Sequence, residues 1–69
     1  EIDKIKIGKN IRLARIENKF TQDSLAKKLN TTHSVISAYE SGKTSVPTLF
    51  LIEIAKITNK SLNWLIGKI

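Results

Sequence analysis

The sequence predicts an all-α fold, a compact domain of five short helices. Three observations carry this. Apolar residues recur at three- and four-residue spacing in successive short stretches, side-chain oxygens stand where most of those stretches begin, and Asn or Gly stands where most of them end. Strand-like alternation never runs beyond a few residues, and the pattern contains no internal repeat or low-complexity segment.

The first helix is expected from Lys4 to about Asn18, because Ile7, Ile11 and Ala14 recur at four and three residues while Lys6, Lys9 and Arg12 lie elsewhere on the wheel. Gly8 weakens it somewhat. A second apolar set, Ile5, Leu13 and Ile16, either widens the buried face or marks a contact with another chain, and the core is the reading adopted. Thr21 offers an N-cap oxygen to a second helix, Gln22 to Leu29, which turns Leu25, Ala26 and Leu29 inward. Asn30 then stops the chain, since after Gly it is the residue that best tolerates the left-handed conformation of a helix end.

Thr32 caps a third helix, His33 to Glu40, ended by Ser41 and a Gly42 free to adopt positive φ. A polar loop follows from Lys43 to Pro47, and Thr48 is expected to cap a fourth helix through Leu51, Ile54, Ala55 and Ile57. Asn59 repeats the stop signal of Asn30. Ser61 caps a short fifth helix whose Leu62, Trp64 and Leu65 close the core, and Gly67 ends it.

At 69 residues the chain has room for one modest core, so residues 1–69 read as a single domain. With 41% hydrophobic residues, three Gly and one Pro, the composition suits a folded helical protein. Cysteine is absent, which excludes disulfides and thiolate metal sites, and His33 is the only histidine, so no metal set can be assembled around it. No apolar run approaches the ~18 residues of a membrane helix, and no signal-peptide core is present, which predicts a cytoplasmic protein. The chain has no methionine, consistent with a trimmed piece of something longer. Its net charge of +6, with a pI near 9.9, favours polyanionic partners, nucleic acid before acidic membranes or proteins.

The third helix carries the functional signal. At 100° per residue His33, Ser34, Ser37 and Ala38 fall within an arc of roughly 140°, with Val35, Ile36 and Tyr39 opposite. A face of small and hydrogen-bonding side chains builds no core, so it is a face for meeting something else. Ser34 and Ser37 are not read as nucleophiles, because the chain has one His and no Asp near it in the motif. No cofactor motif or small-molecule site is evident, and the protein is read as a non-enzyme.

Two helices crossing steeply over residues 22–41 need a small residue at the contact, here Ala26, and a positive-φ residue at the turn, here Asn30. With Arg15, Thr21-Gln22, Leu25-Ala26, Asn30-Thr31-Thr32, Ile36, Tyr39-Glu40, Ser41-Gly42-Lys43-Thr44, Ile54-Ala55 and Ser61-Leu62-Asn63-Trp64-Leu65, the chain resembles the helix-turn-helix of the Cro and phage-repressor (XRE) family. The resemblance runs from about Ile7 to Gly67. It departs at Asn30, where the family usually has Gly, and at Thr58, where it often has Leu.

The resemblance implies a repressor-like domain that binds double-stranded DNA and regulates transcription, encoded by a bacterium or phage. It places the third helix in the major groove, with His33, Ser34, Ser37 and Ala38 at base edges. His and Ser can donate or accept, and the Ala38 methyl can pack on a thymine methyl. Without Arg or Gln on this face, shape and water are expected to share in the readout. Thr21 and Gln22 match one phosphate anchor, Ser41, Lys43 and Thr44 a second, and Thr32 a further phosphate contact. Arg15 and Glu40 match a structural salt bridge. Pairing into a homodimer, to read a palindromic operator, is expected either through the last helix and its preceding loop, with Ile66 and Ile69, or through a separate C-terminal domain.

Lys4, Lys6, Lys9, Lys27 and Lys28 are read as solvated charges, and Trp64 as core rather than a base-stacking platform. Two other readings stand beside the repressor: a protein-interaction adaptor on the same fold, and an antitoxin or restriction controller. An adaptor would carry large apolar anchors on the exposed face of the third helix; His, Ser, Ser and Ala stand there instead.

Overall fold

Residues 3–67 are described by a computed structural model, in which five α-helices follow one another. They are α1 (Lys4–Glu17), α2 (Gln22–Lys28), α3 (His33–Ser41), α4 (Thr48–Thr58) and α5 (Leu62–Ile66). Side-chain caps begin most of them. Asp3 Oδ1 accepts from Ile5 N at 2.9 Å, and Ser61 Oγ from Trp64 N at 3.0 Å. At α2 the capping is reciprocal: Thr21 Oγ1 accepts from Ser24 N at 3.0 Å while Ser24 Oγ accepts from Thr21 N at 2.9 Å.

The start of α4 differs from expectation. Pro47, with φ −60° and ψ 147°, is its N-cap, and no side chain caps it. Thr48 is already helical, because a proline with fixed φ hands the chain into a first turn whose N–H groups have no intrahelical partner in any case. The stops are where the sequence placed them. Asn30 and Asn59 both have φ 58°, and Gly42 and Gly67 have φ 78° and 80°. Lys19 also adopts φ 60°, in a turn without a composition signal.

The core has two centres. Ile7, Ile11 and Ala14 of α1 pack with Leu51, Ile54 and Leu65, while Leu25 and Ala26 of α2 pack with Ile36 and Tyr39 of α3. Leu29 and Val46 lie partly buried against both. Each large aliphatic removed from water contributes about 1.5–3 kcal/mol.

Two apolar assignments are corrected. Ile5, Leu13 and Ile16 stay 54%, 53% and 51% exposed: α4 and α5 pack on the side of α1 that carries Ile7, Ile11 and Ala14, while α3 comes against Gly8 and, at Gly42, against Ile5 without covering it. Leu62 is also exposed; it opens a five-residue helix whose buried residue is Leu65. Trp64 is half-buried against the first cluster, with Lys60 Nζ 4.5 Å from its ring centroid.

Thr58 is buried without loss of hydrogen bonding. Its Oγ1 donates to Ile54 O at 2.6 Å, and its own carbonyl accepts from Asn18 Nδ2 at 3.1 Å. Asn10 makes a comparable tie from α1, its Nδ2 donating to Trp64 O and Leu65 O at 3.2 and 3.0 Å. These two amides join α1 to the last turns of α4 and α5, where the helical ladder runs out of donors; Trp64 O also accepts from Gly67 N at 3.2 Å.

Candidate nucleic-acid interface

The inner side of α3 is fixed by packing. Ile36 and Tyr39 are buried, and the Tyr39 ring meets Phe50 edge-on, centroids 5.7 Å apart at 86°. With that side inward, His33, Ser34 and Ser37 are exposed and Ala38 is half-buried. Together with Ser41 and Lys43 they line one shallow concave surface.

Close approach of α1 to α3 explains Gly8. A Cβ at that position would collide with Tyr39 O and stand 2.6 Å from Glu40 O, both backbone atoms. A glycine inside a helix costs about 1 kcal/mol in propensity, and here the missing side chain lets two helix backbones touch.

Glu40 is the polar centre of the contact between α1, α2 and α3. Its Oε2 accepts from Arg15 Nε at 2.6 Å, and its Oε1 accepts from Arg15 Nη2 at 3.2 Å and from Gln22 Nε2 at 3.1 Å. Arg15 Nη1 also donates to Phe20 O at 2.9 Å. One carboxylate on α3 thus holds α1 and the first residue of α2. The Arg15 and Glu40 side chains are 12% and 5% exposed, so the pair is weakly screened.

Each predicted phosphate contact can be placed. The Gln22 side chain is engaged by Glu40 rather than left free. Thr21 and Thr32 spend their hydroxyls as caps, Thr32 Oγ1 accepting from Val35 N at 3.4 Å. Ser41 Oγ donates to Ala38 O at 3.1 Å. Lys43 and Thr44 are exposed in the loop after α3. Thr21, Gln22, Ser41 and Lys43 therefore border the outer side of α3 or the first turn of α2.

One contact overturns the expectation that no Asp stands near the histidine. Asp23 Oδ1 lies 3.1 Å from His33 Nδ1, linking the first turns of α2 and α3. The turn at Asn30 folds positions ten apart in sequence against each other, and no local pattern announces that. No serine hydroxyl bonds to His33 among the described residues. Also among the described residues, no three His, Asp or Glu side chains gather as a metal site, and no helix is long and apolar enough to cross a membrane.

A short helix packed behind a second, with its outer face free and flanked by cationic and hydroxyl groups, defines the class: a helix-turn-helix DNA-binding domain of the kind used in transcription regulation. Residues 11–65 match the family model described as Helix-turn-helix, and the chain belongs to that family, in its Cro and phage-repressor (XRE) form. Among solved structures it is similar to the restriction-modification controller protein C.AhdI from Aeromonas hydrophila, at 22% identity and TM-score 0.83 over 91% of each chain. It is similar to the P22 c2 repressor in complex with synthetic operator 9T, at 25% identity and TM-score 0.82 over 91% of this chain and 96% of that one. The clp gene regulator ClgR from C. glutamicum matches at 18% identity and TM-score 0.86 over 99% and 88% of the two chains.

Proposed function

We propose that this single domain is a sequence-specific double-stranded DNA-binding repressor that reads a palindromic operator as a dimer through α3. The outer face of α3 carries the reading: His33, Ser34, Ser37 and Ala38 on one shallow surface, small enough to let the helix enter a major groove. These four side chains meet base edges. Thr21, Gln22, Thr32, Ser41, Lys43 and Thr44 contact the phosphates on either side, and the net charge of +6 supports that partner. Arg15 and Glu40 are structural and keep α3 in place. Pairing through α5 with Ile66 brings two readers to one operator and multiplies their weak single affinities. Ile69, the other residue expected at that contact, lies outside the described residues.

The test is selection from a random duplex library at about 50 and 200 mM salt, with His33→Ala and Lys43→Ala in parallel. The reading expects a palindromic motif, a steep salt slope, relaxed preference in His33→Ala and uniform weakening in Lys43→Ala. One observation favours the adaptor as second reading: Ile5, Leu13 and Ile16 on the outside of α1. Absence of a motif with negligible binding at ~50 mM salt would overturn the DNA reading of this domain by itself and leave the adaptor, or a dimerisation region outside it, as the account.

A further inference from the structure

The contact between Asp23 and His33 has a chemical consequence for what His33 can recognise. A carboxylate only accepts hydrogen bonds, so the imidazole nitrogen 3.1 Å from Asp23 Oδ1 must be the one that carries the proton. In a neutral imidazole this leaves Nε2 with a lone pair and no hydrogen. Nε2 has no partner among the described residues, and the ring borders the concave surface on the outside of α3. Residue 33 then presents an acceptor to whatever it meets.

In the major groove the four bases answer an acceptor differently. Adenine N6 and cytosine N4 offer amino hydrogens, while guanine presents N7 and O6 and thymine O4, all acceptors. A free histidine could switch tautomer and donate to guanine instead. With Asp23 in place that switch is opposed.

Asp23 also stands in an unexpected position for a protein of net charge +6. It is the acidic residue in the first turn of α2, beside the residues assigned to phosphate. A carboxylate there suits the helix dipole and at the same time repels the DNA backbone. If its role were to support the helix alone, its removal would change stability and leave base preference as it was.

We propose that Asp23 is a positioning residue that fixes the tautomer of His33, so that Nε2 acts as an acceptor and selects the amino group of adenine or cytosine at one operator position. The assignment rests on the DNA-reading role of α3 proposed above. Asp23 touches no base; it acts through His33.

Two measurements at pH 8, where an ordinary imidazole is neutral, test it. In the free protein, long-range proton–nitrogen NMR of the imidazole should report the Nδ1–H form in the wild type and a shift toward Nε2–H in Asp23→Ala. A wild-type ring protonated at Nε2 would overturn the assignment whatever the DNA results are. In library selection, Asp23→Ala should lose about two- to ten-fold of its adenine or cytosine preference at one position of each half-site, the size of a single hydrogen bond. Its affinity for non-specific duplex should rise, because a repulsive charge has gone. Base preferences that are identical in wild type and Asp23→Ala would overturn the assignment and leave the reader intact. A wild type that selects no motif would overturn the DNA reading and the assignment with it.

Discussion

The two halves of the core are held together differently. The cluster of α1, α4 and α5 buries Ile7, Ile11, Leu51, Ile54 and Leu65, five large aliphatics around Ala14. The cluster of α2 and α3 buries Leu25, Ala26, Ile36 and Tyr39, with Phe20 and Phe50 partly buried against it, and beside it stands a carboxylate taking three hydrogen bonds from two other helices. Apolar contact is non-directional, whereas a bidentate Arg–carboxylate pair fixes orientation as well as distance. The first half is held by apolar contact around Ala14, and the second adds to its apolar contact polar ties that fix how α3 sits against α1 and α2.

Breaking the polar tie should therefore do the most damage. Glu40→Ala leaves Arg15 partly buried without its carboxylate and frees the Gln22 side chain, and should cost about 3–5 kcal/mol in urea unfolding. The double variant Arg15→Met with Glu40→Leu should recover most of that stability and still bind DNA less specifically. Recovery of specificity as well would mean that the tie supplies stability alone.

Gly8→Ala comes next. Its methyl would press on two backbone carbonyls of α3, and we expect a loss of about 1–3 kcal/mol, despite the better helix propensity of Ala. Amide shifts should move in Tyr39 and Glu40 before they move in α4. A stabilised Gly8→Ala would contradict the close approach.

The clusters can be compared directly by removing one methylene from each. Ile54→Val and Ile36→Val should each lower stability by about 0.5–1.5 kcal/mol. Only Ile36→Val should also weaken specific DNA binding at a temperature where both variants are folded. Equal effects on binding would erase the distinction between scaffold and reader. Smallest of all, Asn30→Gly should stabilise by on the order of 0.5 kcal/mol, because glycine adopts φ 58° without side-chain strain.

How far the sequence revealed this depends on how local each signal was. The caps at Thr21, Thr32 and Ser61 and the stops at Asn30, Gly42 and Asn59 are decided by residues within a few positions, and they were legible. The exposure of Ile5, Leu13 and Ile16 was not, because periodicity reports that a residue is apolar and not whether a neighbour arrives to cover it. Thr48 was misread as a cap since Pro47 can start a helix without any side-chain oxygen.

Within the site, the outer face of α3 followed from helical geometry, and the meeting of Arg15 with Glu40 from the family resemblance. The Gln22 tie to Glu40 and the Asp23 contact with His33 join separate helices and left no trace in spacing. Gly8, like Ala26, was a clue to tertiary contact, though in the sequence it reads only as a weak point of the helix: a glycine in the middle of an otherwise regular helix requires a reason, and here the reason is the backbone of α3.

Of the two exposed surfaces, α3 is proposed to meet the bases and the apolar outside of α1 is not. Intermolecular NOEs between a selected duplex and the isotope-labelled domain test it most directly. Contacts are expected from base protons in the major groove to His33, Ser34, Ser37 and Ala38, with none to Leu13 or Ile16. Contacts that fall on Leu13 and Ile16 while the α3 side chains stay silent would contradict it.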